Sequence, residues 1–65
     1  MRGFDMILKV FEKVGDSISI EIAYSRLMEL YKNEPYAKAK AAGSLGGAVN
    51  GETLIRKGNF YIRVR

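Results

Sequence analysis

The first part of the chain repeats its apolar positions with the period of a helix. These positions are three or four residues apart or adjacent: Phe4, Ile7, Leu8, Phe11 and Val14. Asp5 would lie in the first turn, where the helix dipole favours a negative charge, and Gly15 would follow the last turn. The pattern predicts a first helix over residues 4–14. A strand is the alternative, because Ile7 to Phe11 are rich in β-branched and aromatic residues.

A second helical repeat follows a short alternating stretch. Gly15 to Ser17 predict a turn, and Ile18 to Ile20 alternate as a strand of about three residues would. Ser19 offers a hydroxyl that can cap a helix, and apolar side chains then return every three or four positions. This predicts a second helix over about residues 20–32. Asn33-Glu34-Pro35 would end it, because the residue before proline disfavours the α conformation.

A stripe of mostly small apolar residues predicts a third helix over residues 36–50. Its members are Ala37, Ala41, Leu45, Ala48 and Val49. Three interior glycines weaken this helix, since each costs roughly 0.8–1 kcal/mol relative to alanine. The helix is therefore either continuous or broken near Gly43, with Ser44 capping a second piece. Asn50-Gly51 would end it, because either residue tolerates the left-handed conformation.

The last thirteen residues predict a β-hairpin, with strands at 53–56 and 60–65 joined by a turn at 57–59. Side chains along a strand point alternately to its two faces. We therefore expect one face, Phe60, Ile62 and Val64, to cover the core. The other face, Tyr61, Arg63 and Arg65, would meet solvent or a ligand. The predicted fold class is a small α+β domain of three helices, a short strand and a C-terminal hairpin, spanning residues 1–65 as one domain.

Composition narrows the chemistry. The 65 residues include no cysteine and no histidine, so disulfides, soft metal ligands and the commonest general base are missing. The acidic side chains fall mainly on predicted helix exteriors or turns, and none is paired with another for acid–base work. We expect neither an enzyme nor a metal or cofactor site. The sequence shows no apolar run that would target or span a membrane, which favours a cytoplasmic protein.

The positive charge is concentrated in the second half of the chain. Residues 1–34 hold five basic and six acidic side chains, a net charge of −1. Residues 35–65 hold six basic side chains against Glu52, a net charge of +5. An asymmetry of this kind indicates a polyanionic partner, because the basic half generates the attractive field.

The order helix, short strand, two helices and hairpin resembles the winged helix-turn-helix family of DNA-binding domains. Two segments carry the resemblance: Ile18 to Ala23 resemble the strand that leads into a helix, and Leu54 to Val64 resemble the wing. The resemblance covers nearly the whole chain. It implies that the third helix enters the major groove and that the wing tip lies against the backbone or the minor groove.

The resemblance also implies site residues. Those facing DNA from the third helix would be Tyr36, Lys38, Lys40 and Ser44, and those at the wing would be Arg56, Lys57 and Asn59. Arg63 and Arg65 could add two further charges for phosphates. The third helix is poor in the arginine, asparagine and glutamine side chains that read base edges, which favours contact with phosphates. The expected function is binding of double-stranded DNA, as a small transcriptional regulator.

Two alternatives use other surfaces. A protein-interaction module of the same fold, including a homodimer, would dock through the apolar stripe of the first helix and the Gly/Ala face of the third. RNA binding would instead use the strand residues Tyr61, Arg63 and Arg65. These alternatives differ in which side chains must be exposed.

Overall fold

Three helices and a three-stranded antiparallel sheet make up the fold. The structure, a computed structural model, describes residues 3–65, and their side chains from Asp5 onward. In chain order the elements are α1 (Gly3–Val10), β1 (Ser17–Ser19), α2 (Ile20–Leu30), α3 (Ala37–Asn50), β2 (Leu54–Lys57) and β3 (Phe60–Arg63). The strand order is β1-β3-β2, so the last strand is central. The expected α+β class is confirmed at this level.

The core lies between the helices and one face of the sheet. Its largest fully buried side chains are Phe11, Ile7, Leu27 and Leu54. They come from the end of α1, from α2 and from β2, so every layer contributes to one cluster. Full burial of such a side chain contributes about 1.5–3 kcal/mol, and this chain has no disulfide to add to it.

The first helix is shorter than the periodicity predicts. It ends at Val10, because residues 13–16 close a turn of their own. The Lys13 amide donates to an Asp16 carboxylate oxygen at 3.0 Å, and Gly15 adopts a φ of 98° that a helix excludes. Val14 is 62% exposed, so its place in the predicted apolar stripe is wrong.

The buried face of α1 is also rotated from the predicted one. Its core residues are Met6, Ile7, Val10 and, just beyond the helix, Phe11. Leu8 is half-exposed, and the side chain of Phe4 lies outside the described residues. The strand alternative for this segment is wrong.

The cap of the second helix is as predicted. Ser19 ends β1 in an extended conformation, and its hydroxyl accepts a hydrogen bond from the Ile22 amide at 3.3 Å. This satisfies one of the free amides of the first turn. The helix ends at Leu30, two residues earlier than expected.

The third helix runs unbroken through Gly43, which settles the two alternatives left by its glycines. Ala41, Leu45 and Ala48 are buried, as their spacing predicts. The helix begins one residue later than expected, because Tyr36 precedes it in the left-handed conformation. At its other end the left-handed residue is Glu52, and neither Asn50 nor Gly51 adopts that conformation.

The hairpin is confirmed, but its turn covers residues 58–59 and not 57–59, and the faces of its strands are reversed. The turn has two residues, and Gly58 supplies the positive φ of 61°. Opposed residues share a face, and Leu54 opposes Arg63 while Arg56 opposes Tyr61. Leu54 is fully buried and Tyr61 packs against the core, so this is the inner face.

The outer face of the sheet carries the residues predicted to cover the core. Phe60 and Val64 are 48% and 41% exposed, and Ile62 opposes the exposed Ile55. The prediction is wrong because contact with the helices, and not the polarity of the strand residues, decides which face of the sheet points to the core. The Thr53 amide donates to the Ala48 carbonyl at 2.9 Å, and this bond fixes the chain where Leu54 turns inward.

Candidate nucleic-acid interface

The start of α3 presents an aromatic and a basic side chain to solvent. Tyr36 is 81% exposed and has a φ of 60°, an uncommon conformation for a bulky residue. The Tyr24 hydroxyl donates to the Lys38 carbonyl at 3.0 Å, which ties this end of the helix to α2. The Lys38 side chain is exposed and forms no ion pair with any acid whose side chain is described. Both residues therefore remain open to a ligand.

The tip of the hairpin presents a second exposed basic group. Arg56, Lys57 and Asn59 are all exposed, and neither Arg56 nor Lys57 pairs with an acid from Asp5 onward. The Ile20 amide donates to the Asn59 carbonyl at 2.8 Å, so the turn is fastened to the first residue of α2. Three residues that the resemblance assigned to a wing thus lie at one exposed end of the hairpin.

These two groups flank the first half of α2. One groove is lined by Glu21 together with Arg56 and Asn59. A second groove is lined by Glu21 together with Tyr24 and Ala37, the first residue of α3. Because Glu21 borders both grooves, the hairpin tip and the start of α3 lie on either side of this stretch of α2. The exposed carboxylate between them opposes the field of the cations.

Two other predicted site residues on α3 are engaged within the chain. The Lys40 ammonium lies 2.8 Å from a Glu34 carboxylate oxygen, and this hydrogen bond holds the pKa of Glu34 below its ordinary value. The Ser44 hydroxyl donates to the Lys40 carbonyl at 2.9 Å and shares a hydrogen bond with the Tyr31 hydroxyl at 2.8 Å. Ser44 therefore lies half-buried at the junction with α2, while the Lys40 ammonium is paired with Glu34 in the loop before α3.

The two C-terminal arginines are also engaged. The Nη1 group of Arg63 donates to the carbonyls of Phe11 and Glu12 at 2.9 and 2.8 Å. These carbonyls follow α1, where a helix leaves its last carbonyl groups without partners. Arg65 lies 3.2 Å from Glu52 in an exposed ion pair. Arg63 therefore joins the sheet to the end of α1. A basic residue close in sequence to a helix end would signal such a role, but Arg63 lies 52 positions after Phe11.

The exposed face of α3 is made of small residues. Its members recur at helical spacing: Ala39, Ala42, Gly43, Gly46, Gly47 and Asn50. A Cβ atom built at any of the three glycines would meet no atom within 4 Å. No contact within the described chain therefore requires these glycines. Between Lys38 and Asn50 this face offers no side chain that could form a bidentate contact with a base edge.

Other kinds of site find little support in the described part of the chain. From Asp5 onward no three His, Cys, Asp or Glu side chains lie close enough to hold a metal ion. No helix among residues 3–65 is long and apolar enough to cross a membrane. Comparison of the chain with protein-family models, with curated proteins and with solved structures finds no match.

Proposed function

We propose that this protein binds nucleic acid, with duplex DNA as the favoured ligand, in the manner of a winged helix-turn-helix domain. The binding surface, here named the α3–hairpin interface, consists of Tyr36 and Lys38 with Arg56, Lys57 and Asn59. The observation that carries the proposal is that Lys38, Arg56 and Lys57 are exposed and have no described acidic partner. Arg56 lines one groove beside Glu21, and Lys38 follows Ala37, which lines the other. Cations of this kind gain affinity for phosphates by releasing counterions.

The topology supports the same proposal. The element order that resembles a winged helix-turn-helix domain places a short strand before the helix pair and a hairpin after it. Here β1 leads directly into α2 and pairs with β3, which gives the sheet order β1-β3-β2. The expected roles follow: α3 approaches the groove, and the hairpin tip contacts the backbone beside it.

The small face of α3 favours contact with the sugar–phosphate backbone over reading of bases. Alanine and glycine keep the helix surface flat, so its backbone can come close to the duplex. Specificity for sequence is then expected to be modest. A role in transcription regulation and a cytoplasmic location stay predictions from the sequence.

A salt titration tests the proposal. Fluorescence anisotropy with a labelled duplex at four salt concentrations should give a slope of log affinity against log salt of about −2.7, since three cations each contribute about −0.9. Lys38→Ala and Lys57→Ala should each make the slope less steep by about 0.9, the contribution of one cation. Lys13→Ala is the matched control, because this exposed lysine lies in the turn near the opposite end of the sheet. A slope near zero would overturn the proposal.

The carboxylate beside the cations gives a second test of the same surface. Glu21→Gln should raise duplex affinity about two- to fivefold, because it removes a negative charge from between the two basic groups. Glu12→Gln adds the same net charge near the Lys13 turn and should leave affinity nearly unchanged. Equal gains from both variants would mean that net charge alone, and not this surface, governs binding.

The structure bears differently on the two alternatives. RNA binding through β3 needs Tyr61 and Arg63 on a free face, but Tyr61 packs against the core and Arg63 bonds to backbone carbonyls. Of the predicted apolar stripe of the first helix, Ile7 and Phe11 are buried within the chain and Val14 is exposed. The Gly/Ala face of α3 is exposed, so docking of a protein partner through that face stays a prediction. Single-stranded DNA and double-stranded RNA in the same titration measure how far the duplex is preferred.

A further inference from the structure

Two exposed aromatic rings lie beside the two basic groups of the α3–hairpin interface. Tyr36 is 81% exposed and precedes Lys38 by two residues. Phe60 is 48% exposed and directly follows Asn59 at the hairpin tip. Neither ring belongs to the buried core or packs against it. Each basic group therefore has one large aromatic surface next to it.

Phe60 is close to both cations of the hairpin tip. Lys57 opposes Phe60 across the ladder between β2 and β3, so the two side chains are neighbours on one face of the sheet. Arg56 and Asn59 line one groove together with Phe60. A nucleotide whose phosphate is bound by these cations therefore has its base near the ring.

The Tyr36 ring is exposed although its backbone conformation is unfavourable. Its φ of 60° lies in the left-handed region, which disfavours residues with a Cβ atom. Burial does not offset this cost, because most of the residue is in contact with water. Uncommon backbone conformations of this kind concentrate at ligand sites. A ligand would bury a ring that the described chain leaves exposed.

We propose that Tyr36 and Phe60 stack on unpaired bases, so that the preferred ligand is a DNA duplex that continues into a single strand. Because the cations of the interface must hold the strand, this site rests on the proposed function. Every base has a flat face on which an aromatic ring can stack, but inside a duplex the neighbouring base pairs cover it. Aromatic side chains beside a basic surface are the usual means of binding single strands.

Glu21 suits an unpaired base better than it suits a phosphate. It lines the same groove as Phe60, where its carboxylate repels phosphate oxygens. A carboxylate accepts hydrogen bonds from the exocyclic amino group of a base such as cytosine. The Watson–Crick edge that carries this group is free only when the base is unpaired. The groove therefore offers a base both a ring to stack on and a hydrogen-bond acceptor.

Three ligands separate stacking from charge in an anisotropy titration. They are a blunt duplex, the same duplex with a single-stranded extension of about six nucleotides, and the same extension made of abasic nucleotides. The abasic extension keeps every phosphate and carries no base. The extension with bases should bind at least about tenfold more tightly than the abasic one, because two bases stack. Equal affinity for the two extensions would overturn the stacking proposal, while the salt slope with the blunt duplex tests the proposed function separately.

Variants assign the gain to the two rings. Tyr36→Leu and Phe60→Leu should each reduce the advantage of the extension with bases at least about threefold, and Tyr36→Phe should keep it, because it retains a ring. None of these substitutions removes a charge, so the salt slope with the blunt duplex should not change.

Val64→Ala is the matched control for Phe60→Leu. Val64 is 41% exposed and lies beyond the end of β3 that is remote from the hairpin tip. Circular dichroism checks that all variants are folded. An advantage that survives both leucine variants, or that Val64→Ala reduces as much as they do, would overturn the stacking proposal.

Discussion

The two faces of the sheet carry similar side chains in opposite surroundings. Leu54 and Ile55 are neighbours on β2, yet Leu54 is fully buried and Ile55 is 44% exposed. The inner face includes an arginine, while the outer face carries Phe60 and two further aliphatic residues. The difference teaches that polarity alone does not assign a strand face in so small a protein. What an adjacent helix contacts, and which carbonyls need partners, decides it.

Truncation on the two faces should give the largest contrast. Leu54→Ala should lower the free energy of unfolding by about 2–5 kcal/mol, because it leaves a cavity in the core. Ile55→Ala should lower it by less than about 1 kcal/mol, since the side chain is half in water. Urea unfolding followed by circular dichroism measures both. Similar losses would contradict the assignment of the faces.

Arg63, on the inner face of the sheet, should contribute more to the free energy of unfolding than Arg65 at the end of the chain. Arg63→Ala should cost about 2 kcal/mol, because two charge-assisted hydrogen bonds to the Phe11 and Glu12 carbonyls are lost. Arg65→Ala should cost less than about 0.5 kcal/mol, since its ion pair with Glu52 is exposed. The same urea experiment compares them. An Arg63→Ala variant as stable as the Arg65→Ala variant would mean that the contact to α1 contributes little.

Two glycines should respond in opposite ways to alanine: Gly46 has open space around it, whereas Gly58 has a positive φ. Gly46→Ala should raise the free energy of unfolding by about 0.4–1 kcal/mol, because the added methyl meets no atom and the unfolded chain loses freedom. Gly58→Ala should lower it by about 1–2 kcal/mol, because φ there is 61°. If Gly46→Ala also weakens duplex binding, close approach of the α3 backbone gains support. Unchanged affinity would limit the proposed contact to the side chains.

The smallest effect concerns pH. The Lys40 ammonium donates to Glu34 and lowers the pKa of that carboxyl from its ordinary 4.5 in the folded state. The unfolded chain therefore binds the proton more readily, so this pair stabilises the fold above about pH 4.5 and the contribution disappears as pH falls through the folded pKa. Lys40→Met should flatten the melting temperature between pH 6 and pH 3 relative to Lys38→Met. Identical profiles would contradict a role for the pair.

Local signals made much of the fold predictable. Ser19 caps a helix whose first amides lie two or three residues away, and Gly58 supplies a turn conformation that few residues adopt. The buried stripe of α3 likewise follows from spacing along a single helix. The end of α1 was not predictable in this way, because Val14 fits the helical period although the Asp16 carboxylate captures the Lys13 amide and closes a turn instead.

The candidate site was predictable only in part, for a different reason. Composition located the basic residues, and hairpin chemistry placed Arg56 and Lys57 at an exposed tip. Whether a cation is open to a ligand depends on partners that folding supplies. Lys40 meets Glu34 across a turn, and Arg63 meets Phe11 across almost the whole chain. No pattern within β3 indicates that its arginine is committed to the main chain.

The hydrogen bond from the Ile20 amide to the Asn59 carbonyl affects the conformational entropy that the hairpin tip loses on binding. It joins main-chain atoms, so any residue at position 59 can keep it, and the basic tip is held in place before a ligand arrives. A loop that is already ordered loses little conformational freedom on association. Substitutions of the Asn59 side chain should therefore alter how the tip contacts its ligand without loosening the tip itself.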